Sequence, residues 1–276
     1  MNFALCNEVL APLPFPEQCA LAQRLGYSGL ELAPFTVVED PLTWREPQAR
    51  ALARIAADHG LRITGLHWLL VKPEGLSITH PDAAVRARTL AFMQHLCECC
   101  AALGGEYLVH GSPQQRLVHE GDRHAQALAR ATECWAAVAD TAQRCGVTYC
   151  IEPLSPDQTP IVNTLAQAVA ILEAVRHPHL KTMLDTSSAG LAESLALPAL
   201  IDQWFPTGWV HHVQVNDPNR QGPGQGDMAF APILAALRRQ SYAGPIAVEP
   251  FVYVPDGPGC AARAIGYLQG LSEQAS

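Results

Sequence analysis

Val210-His211-His212-Val213-Gln214-Val215-Asn216-Asp217-Pro218-Asn219-Arg220, continuing as Gln221-Gly222-Pro223-Gly224-Gln225-Gly226-Asp227, decides how the chain is read. An apolar/polar alternation over Val210 to Val215 gives way abruptly to Asn, Asp and Pro and then to a glycine-rich loop. That pattern predicts a buried strand ending at a polar mouth, with the chemistry at its C-terminal edge. In a pleat of period two, His212 and Gln214 share one face while His211 and Val213 share the other, so the two histidines cannot serve one site together.

Outward from this stretch, the same unit recurs. Short apolar runs, read as strands at about 3–8, 29–34, 63–70, 107–112, 147–154, 180–186, 210–216 and 245–251, alternate with helical patterns. The helices are read at about 16–26, 46–59, 82–103, 124–145, 164–176, 197–205, 230–241 and 259–271. They rest on apolar spacings of three and four, as in Leu128, Ala131, Trp135, Val138 and Ala142, and on stops at Gly60, Gly104 and Gly146. Eight β-then-α units of some thirty residues predict an α/β (β/α)8 TIM barrel, one domain over 1–276 with no linker composition inside it. A doubly wound open sheet is the rival fold. It ordinarily carries a glycine-rich turn after the first strand, where this chain has Leu10-Ala11-Pro12-Leu13-Pro14.

Composition bounds the partners. With 276 residues, 49% of them hydrophobic, the chain can bury a full core. A net charge of -8 argues against phosphate backbones and anionic lipid, so neither nucleic acid nor membrane is an expected partner. No apolar run approaches a bilayer span, and the start Met1-Asn2-Phe3-Ala4-Leu5-Cys6-Asn7-Glu8 lacks a basic region. Nine cysteines without an export signal predict reduced thiols and a cytoplasmic location. Cys97 and Cys100 form a Cys-x-x-Cys, but inside a helical pattern with no second pair.

In a barrel, function gathers where strands end. The ends here are Asn7-Glu8, Glu31, His67, His110-Gly111-Ser112, Ile151-Glu152-Pro153, Leu184-Asp185-Thr186, Gln214 to Asp217, and Val248-Glu249-Pro250. One such glutamate is ordinarily a rim charge with a basic neighbour. Three carboxylates in matched positions, Glu152, Asp185 and Glu249, would repel in a low-dielectric cavity unless neutralised. A divalent cation does this, and oxygen-rich donors suit Mn2+, Mg2+ or Co2+, with Zn2+ admissible. His67 and His110 read equally well as packed core histidines or substrate contacts.

These residues resemble the xylose isomerase-like barrel family of sugar isomerases and epimerases, which is related to endonuclease IV. The likeness runs the whole length and is strongest in Ile151-Glu152-Pro153-Leu154, Met183-Leu184-Asp185-Thr186, the 215–227 stretch, and Val248-Glu249-Pro250-Phe251. It implies one metal held by Glu152, Asp185, Glu249 and a residue of strand seven. The family writes His at that last position; counting back from Arg220 places Gln214 there, a weaker amide oxygen donor. It further implies that Glu152 and Glu249 act on a proton beside a carbonyl, and that Arg220 binds a substrate oxygen. Gln158 and Ser188 stand where ketose epimerases have Glu and His. His67, Trp68, His110, Gln158, Ser188, His212 and Arg220 are thus the expected pocket residues, and a homodimer or homotetramer is the implied assembly. The reaction implied is metal-dependent isomerisation or epimerisation of a small sugar. A dehydratase acting on a cyclic polyol and a catalytically silent barrel are the alternatives, and a phosphorylated substrate is a minority reading of the Gly222–Asp227 loop.

Overall fold

The structure is a computed structural model and describes residues 1–274. Eight parallel strands close into a barrel in chain order, β1 (Asn2–Cys6), β2 (Gly29–Leu32), β3 (Arg62–Leu66), β4 (Tyr107–His110), β5 (Thr148–Ile151), β6 (Leu180–Asp185), β7 (Val210–Val215) and β8 (Pro245–Val248), with β1 paired to both β2 and β8. Each strand is followed by a long helix: α1 (Phe15–Leu25), α2 (Glu46–Asp58), α3 (Ala83–Leu103), α4 (His124–Cys145), α5 (Leu165–Val175), α6 (Leu197–Trp204), α7 (Phe230–Arg239) and α8 (Gly257–Gln274). The expected (β/α)8 barrel is the observed one. Left-handed glycines at Gly104 and Gly146 stop α3 and α4, accepting the positive φ that the chain needs to turn back to the barrel.

Strand pleating sorts the side chains into two cores. Leu66, Leu108, Ile151, Leu184, Val213, Val215 and Val248 face outward and pack with the helices. Tyr107, Val109, Cys150 and Met183 face inward and fill the barrel from below. Among the described residues, no helix is long and apolar enough to cross a membrane.

The strands end one to four residues earlier than the apolar runs suggest. Pairing stops because Pro153 and Pro250 lack an N–H, Asn7–Leu10 coil into a 3-10 turn, and Trp68 takes a left-handed φ of 48°. Two short helices, Pro34–Val37 and Thr186–Ala192, are also additions to the sequence reading. Glu8, His67, Glu152 and Glu249 therefore sit just past the last paired residue, on the rim.

Candidate active site

Glu152, Asp185 and Glu249 follow or end β5, β6 and β8, and each offers a carboxylate oxygen within 4.8 Å of the others. All three are buried. Gly111 makes the approach feasible, since a Cβ there would lie 2.0 Å from Glu152 Oε2. Asp185 divides its duties. Its Oδ1 caps the Thr186–Ala192 helix by accepting from Ser188 N at 2.7 Å, while Oδ2 is buried without a hydrogen-bond partner. Asn216 ties the three strand ends together, donating to the Glu249 carbonyl at 2.9 Å and accepting from Ser187 N at 2.9 Å.

Charge crowding shows in the titration of the acids. Burial, reinforced by Asp185, pushes Glu152 up to about 8. Burial likewise raises Asp185 to about 6, and burial with Glu152 and Asp185 raises Glu249 well above the carboxylate range. Arg116 is fully buried beside them, but its Nη2 donates to the Glu152 backbone carbonyl at 2.7 Å rather than to a carboxylate. The orphaned oxygens of the converging acids, Asp185 Oδ2 and Glu249 Oε2, are what a hard divalent cation would satisfy, and Gln214, the register partner of Asp185 on the next strand, carries a further buried oxygen without a partner. The donor set therefore fits such an ion.

A second polar layer lies deeper. Glu31 on β2 accepts from Tyr107 Oη at 2.6 Å and from Gln214 Nε2 at 2.7 Å, and His212 Nε2 is 2.8 Å from its Oε2 in an ion-pair contact without a hydrogen bond. Burial alone would raise Glu31, but His212, His67 and Tyr107 outweigh it and hold the carboxyl at about 2. His67 links the layers: Nε2 is 2.9 Å from Glu8 Oε2 and 3.7 Å from Glu249 Oε1, and Nδ1 is 3.4 Å from Glu31 Oε1. Burial lowers its pKa, but Glu8 and Glu31 more than reverse this and the imidazole is raised.

Above the acids opens a cavity of about 430 Å³ lined by Trp68, Glu152, Gln158, Asp185, Ser188 and Arg220, with Gln114, Asp157 and Phe251. Trp68 stacks between Phe35 (5.9 Å) and Phe251 (5.5 Å), which makes one wall aromatic. Arg220, with φ 67°, reaches across to Asp157 at 2.6 Å, and its carbonyl accepts from Phe251 N and Val252 N. A larger cavity of about 940 Å³ lies outside the barrel, against α3 around Trp44, Phe92 and His95. Size does not decide between them; the converging acids mark the smaller one.

A family model described as xylose isomerase-like TIM barrel matches residues 19–271. The chain belongs to the xylose isomerase-like TIM barrel family. Within it, the D-psicose 3-epimerase of Agrobacterium fabrum is 29% identical over 247 residues, 87% of this chain and 79% of that protein. A ketose 3-epimerase of Arthrobacter globiformis is 25% identical over 252 residues, 90% and 82% of the two chains. The fold is also that of a D-psicose 3-epimerase crystallised in the presence of D-fructose, with a TM-score of 0.83, 22% identity and coverage of 98% and 99%. Sugar isomerase or epimerase, the expected enzyme class, is the class of these relatives.

The members of the predicted set divide by strand face. Glu152, Asp185, Trp68, Gln158, Ser188 and Arg220 reach the cavity, and Glu249 and His67 lie against it. His110 does not converge: on the outward face of β4 with Leu108, its Nδ1 accepts from Trp135 Nε1 (3.1 Å) and Tyr149 Oη (2.9 Å), and it is fully buried away from the pocket. His212 does not converge either. It stacks on Tyr107 at 3.9 Å, one inward position below Gln214, and faces Glu31. Glu8, Glu31, Tyr107, Arg116 and Asp157 were not in the expected set, although Glu8 and Glu31 do interrupt apolar runs.

Proposed function

We propose that the chain is a divalent-metal-dependent epimerase or isomerase of a small ketose or related hydroxy-carbonyl sugar. The observation that carries this reading is the trio Glu152, Asp185 and Glu249, buried together with unpartnered oxygens under a pocket with one aromatic wall. These three, with the Gln214 oxygen, would hold the cation, which supplies a Lewis acid that polarises a carbonyl and the hydroxyl beside it. Glu152 and Glu249 come from strands on different sides of the cavity. One, ionised, removes the proton from the carbon next to the carbonyl, and the other, protonated, delivers its own proton to the opposite face, which inverts that centre and leaves the two carboxyls with exchanged protonation states. A single glutamate moving the proton between neighbouring carbons gives isomerisation instead. The stacked pair Trp68 and Phe251 gives an apolar wall to the C–H side of the sugar, while Gln158, Ser188 and Arg220 offer polar groups to its hydroxyls.

A phosphorylated substrate is disfavoured. The Gly222–Asp227 loop packs on its own chain: Gly224 O accepts from Arg263, and a Cβ at Gly226 would lie 2.1 Å from Asp217 Oδ1. An anion thus already occupies the place where a phosphate would be cradled.

The test is proton exchange. In heavy water with Mn2+ and a panel of ketoses, ketose phosphates, inososes and hydroxypyruvate, deuterium enters carbon in at least one member without loss of mass as water, and chelator stops it. Glu152→Gln and Glu249→Gln each reduce exchange by at least about a hundredfold. Both are assayed for bound metal so that a lost cation is not taken for a lost base. Water loss giving an ultraviolet-absorbing product would assign the dehydratase; no reaction and no metal would assign the silent barrel.

A further inference from the structure

The two ends of the Gln214 amide are nearly the same shape, yet only one can ligate a cation. In this chain they face opposite surroundings. Nε2 donates to Glu31 Oε1 at 2.7 Å, whereas Oε1 is buried with no hydrogen-bond partner. Gln214 on β7 is the register partner of Asp185 on β6, so the two residues are neighbours across the strand pair on the inner face of the barrel. Turning the amide over would set its oxygen against a carboxylate oxygen at hydrogen-bond distance, acceptor against acceptor, and aim an NH2 group at the acids.

Glu31 cannot swing aside to permit this. Its other oxygen is engaged by Tyr107 Oη at 2.6 Å and lies 2.8 Å from His212 Nε2, and Tyr107 Oη is itself 3.0 Å from Thr64 Oγ1. We infer that Glu31 is a positioning residue that fixes the Gln214 amide with its oxygen toward the three acids, making an ambiguous side chain into a committed oxygen donor. This rests on reading the acids as a metal site. It is an instance of a partner behind the ligand setting the ligand's orientation, and such partners typically alter metal affinity ten- to a hundredfold.

The experiment is Mn2+ affinity, read from the loss of the free-ion electron paramagnetic resonance signal, with circular dichroism to confirm the fold. Glu31→Gln removes the acceptor-only partner and weakens Mn2+ binding by about tenfold or more. Gln214→Glu alone places two carboxylates in contact and also weakens it. The reciprocal pair Glu31→Gln with Gln214→Glu restores binding to the wild-type level or tighter, because Gln at 31 donates to one oxygen of Glu at 214 and leaves the other for the ion. Wild-type affinity in folded Glu31→Gln, or a double variant no tighter than the singles, overturns the inference. Should Glu31→Gln not fold, the double variant against Gln214→Glu decides alone. Wild-type affinity in Gln214→Ala removes Gln214 from the site and this inference with it, while the three-acid reading stands. Absence of Mn2+ binding in the unmodified chain removes both.

Discussion

Glu31 and Glu152 are the same residue type, inside the same barrel and equally hidden from water, yet one carboxyl is held at about 2 and the other pushed to about 8. Burial raises both. What separates them is donors: Glu31 meets a phenol O–H, an amide NH2 and a histidine, whereas Glu152 meets Asp185 and an arginine that spends its bond on the backbone. In the deeper layer both oxygens of Glu31 are engaged, by Tyr107 and His212 on one side and by Gln214 on the other, so that carboxylate supports the fold as well as the Gln214 amide. The rim layer is left incomplete, and that incompleteness is what a cation and a substrate can use.

The largest expected effect breaks the deeper layer. Glu31→Ala strands the Tyr107 hydroxyl and the Gln214 NH2 group without their acceptor, removes the carboxylate facing His212, and costs about 3–5 kcal/mol in denaturant unfolding. At the rim the sign reverses. Asp185→Asn keeps an oxygen for the Ser188 N–H and relieves like-charge crowding, so the metal-free protein gains about 1–2 kcal/mol while Mn2+ uptake is lost. Equal destabilisation by both changes would mean that the layers do not differ.

A smaller effect sharpens the same contrast by pH. A carboxyl whose folded pKa is raised contributes stability that is fully present below the ordinary carboxylate range and lost as pH rises through the folded value. For Asp185 and Glu152 that loss runs through about 6 and about 8. The Tm of metal-free protein therefore falls between pH 5 and 8.5, by about 2–4 °C for each kcal/mol lost, and saturating Mn2+ flattens the fall. Glu31 acts in the opposite sense: its depressed pKa gives stability present above the carboxylate range and lost as pH drops toward about 2. A metal-free Tm that is flat across pH 5 to 8.5 would contradict the crowded rim.

The rim was legible in the sequence because each acid closes an apolar run, and strand ends map onto one edge of a barrel. Helix bounds were legible too, through glycine stops and apolar spacing. The deeper network was not. Glu31 stands visibly in Gly29-Leu30-Glu31-Leu32, but its partners Tyr107 and Gln214 lie 76 and 183 residues away and meet it only when the barrel closes. His67 and His110 look alike as strand-end histidines, and only the pleat tells them apart: His110 shares a face with Leu108 and turns to Trp135, while His67 turns inward. Register shifts between β2 and β3 and between β6 and β7 make such parity unreadable from a single chain.

The smallest effect belongs to a charged pair at the pocket mouth that is open to water. Asp157 and Arg220 meet at 2.6 Å across the mouth with side chains 61% and 40% exposed, so the contact is worth under about 1 kcal/mol and is screened by salt. Asp157→Asn should leave Tm and Mn2+ affinity unchanged. It should nevertheless free the one basic side chain that lines the pocket among the described residues. Inorganic phosphate then becomes a better competitor of deuterium exchange, by roughly three- to tenfold at low ionic strength, and the gain fades as salt approaches physiological strength. If Asp157→Asn instead destabilised the chain as Glu31→Ala does, exposure would have ceased to separate a mouth charge from a core one. If phosphate competition were unchanged at low salt, Arg220 would already be available to anions and Asp157 would have no part in excluding them.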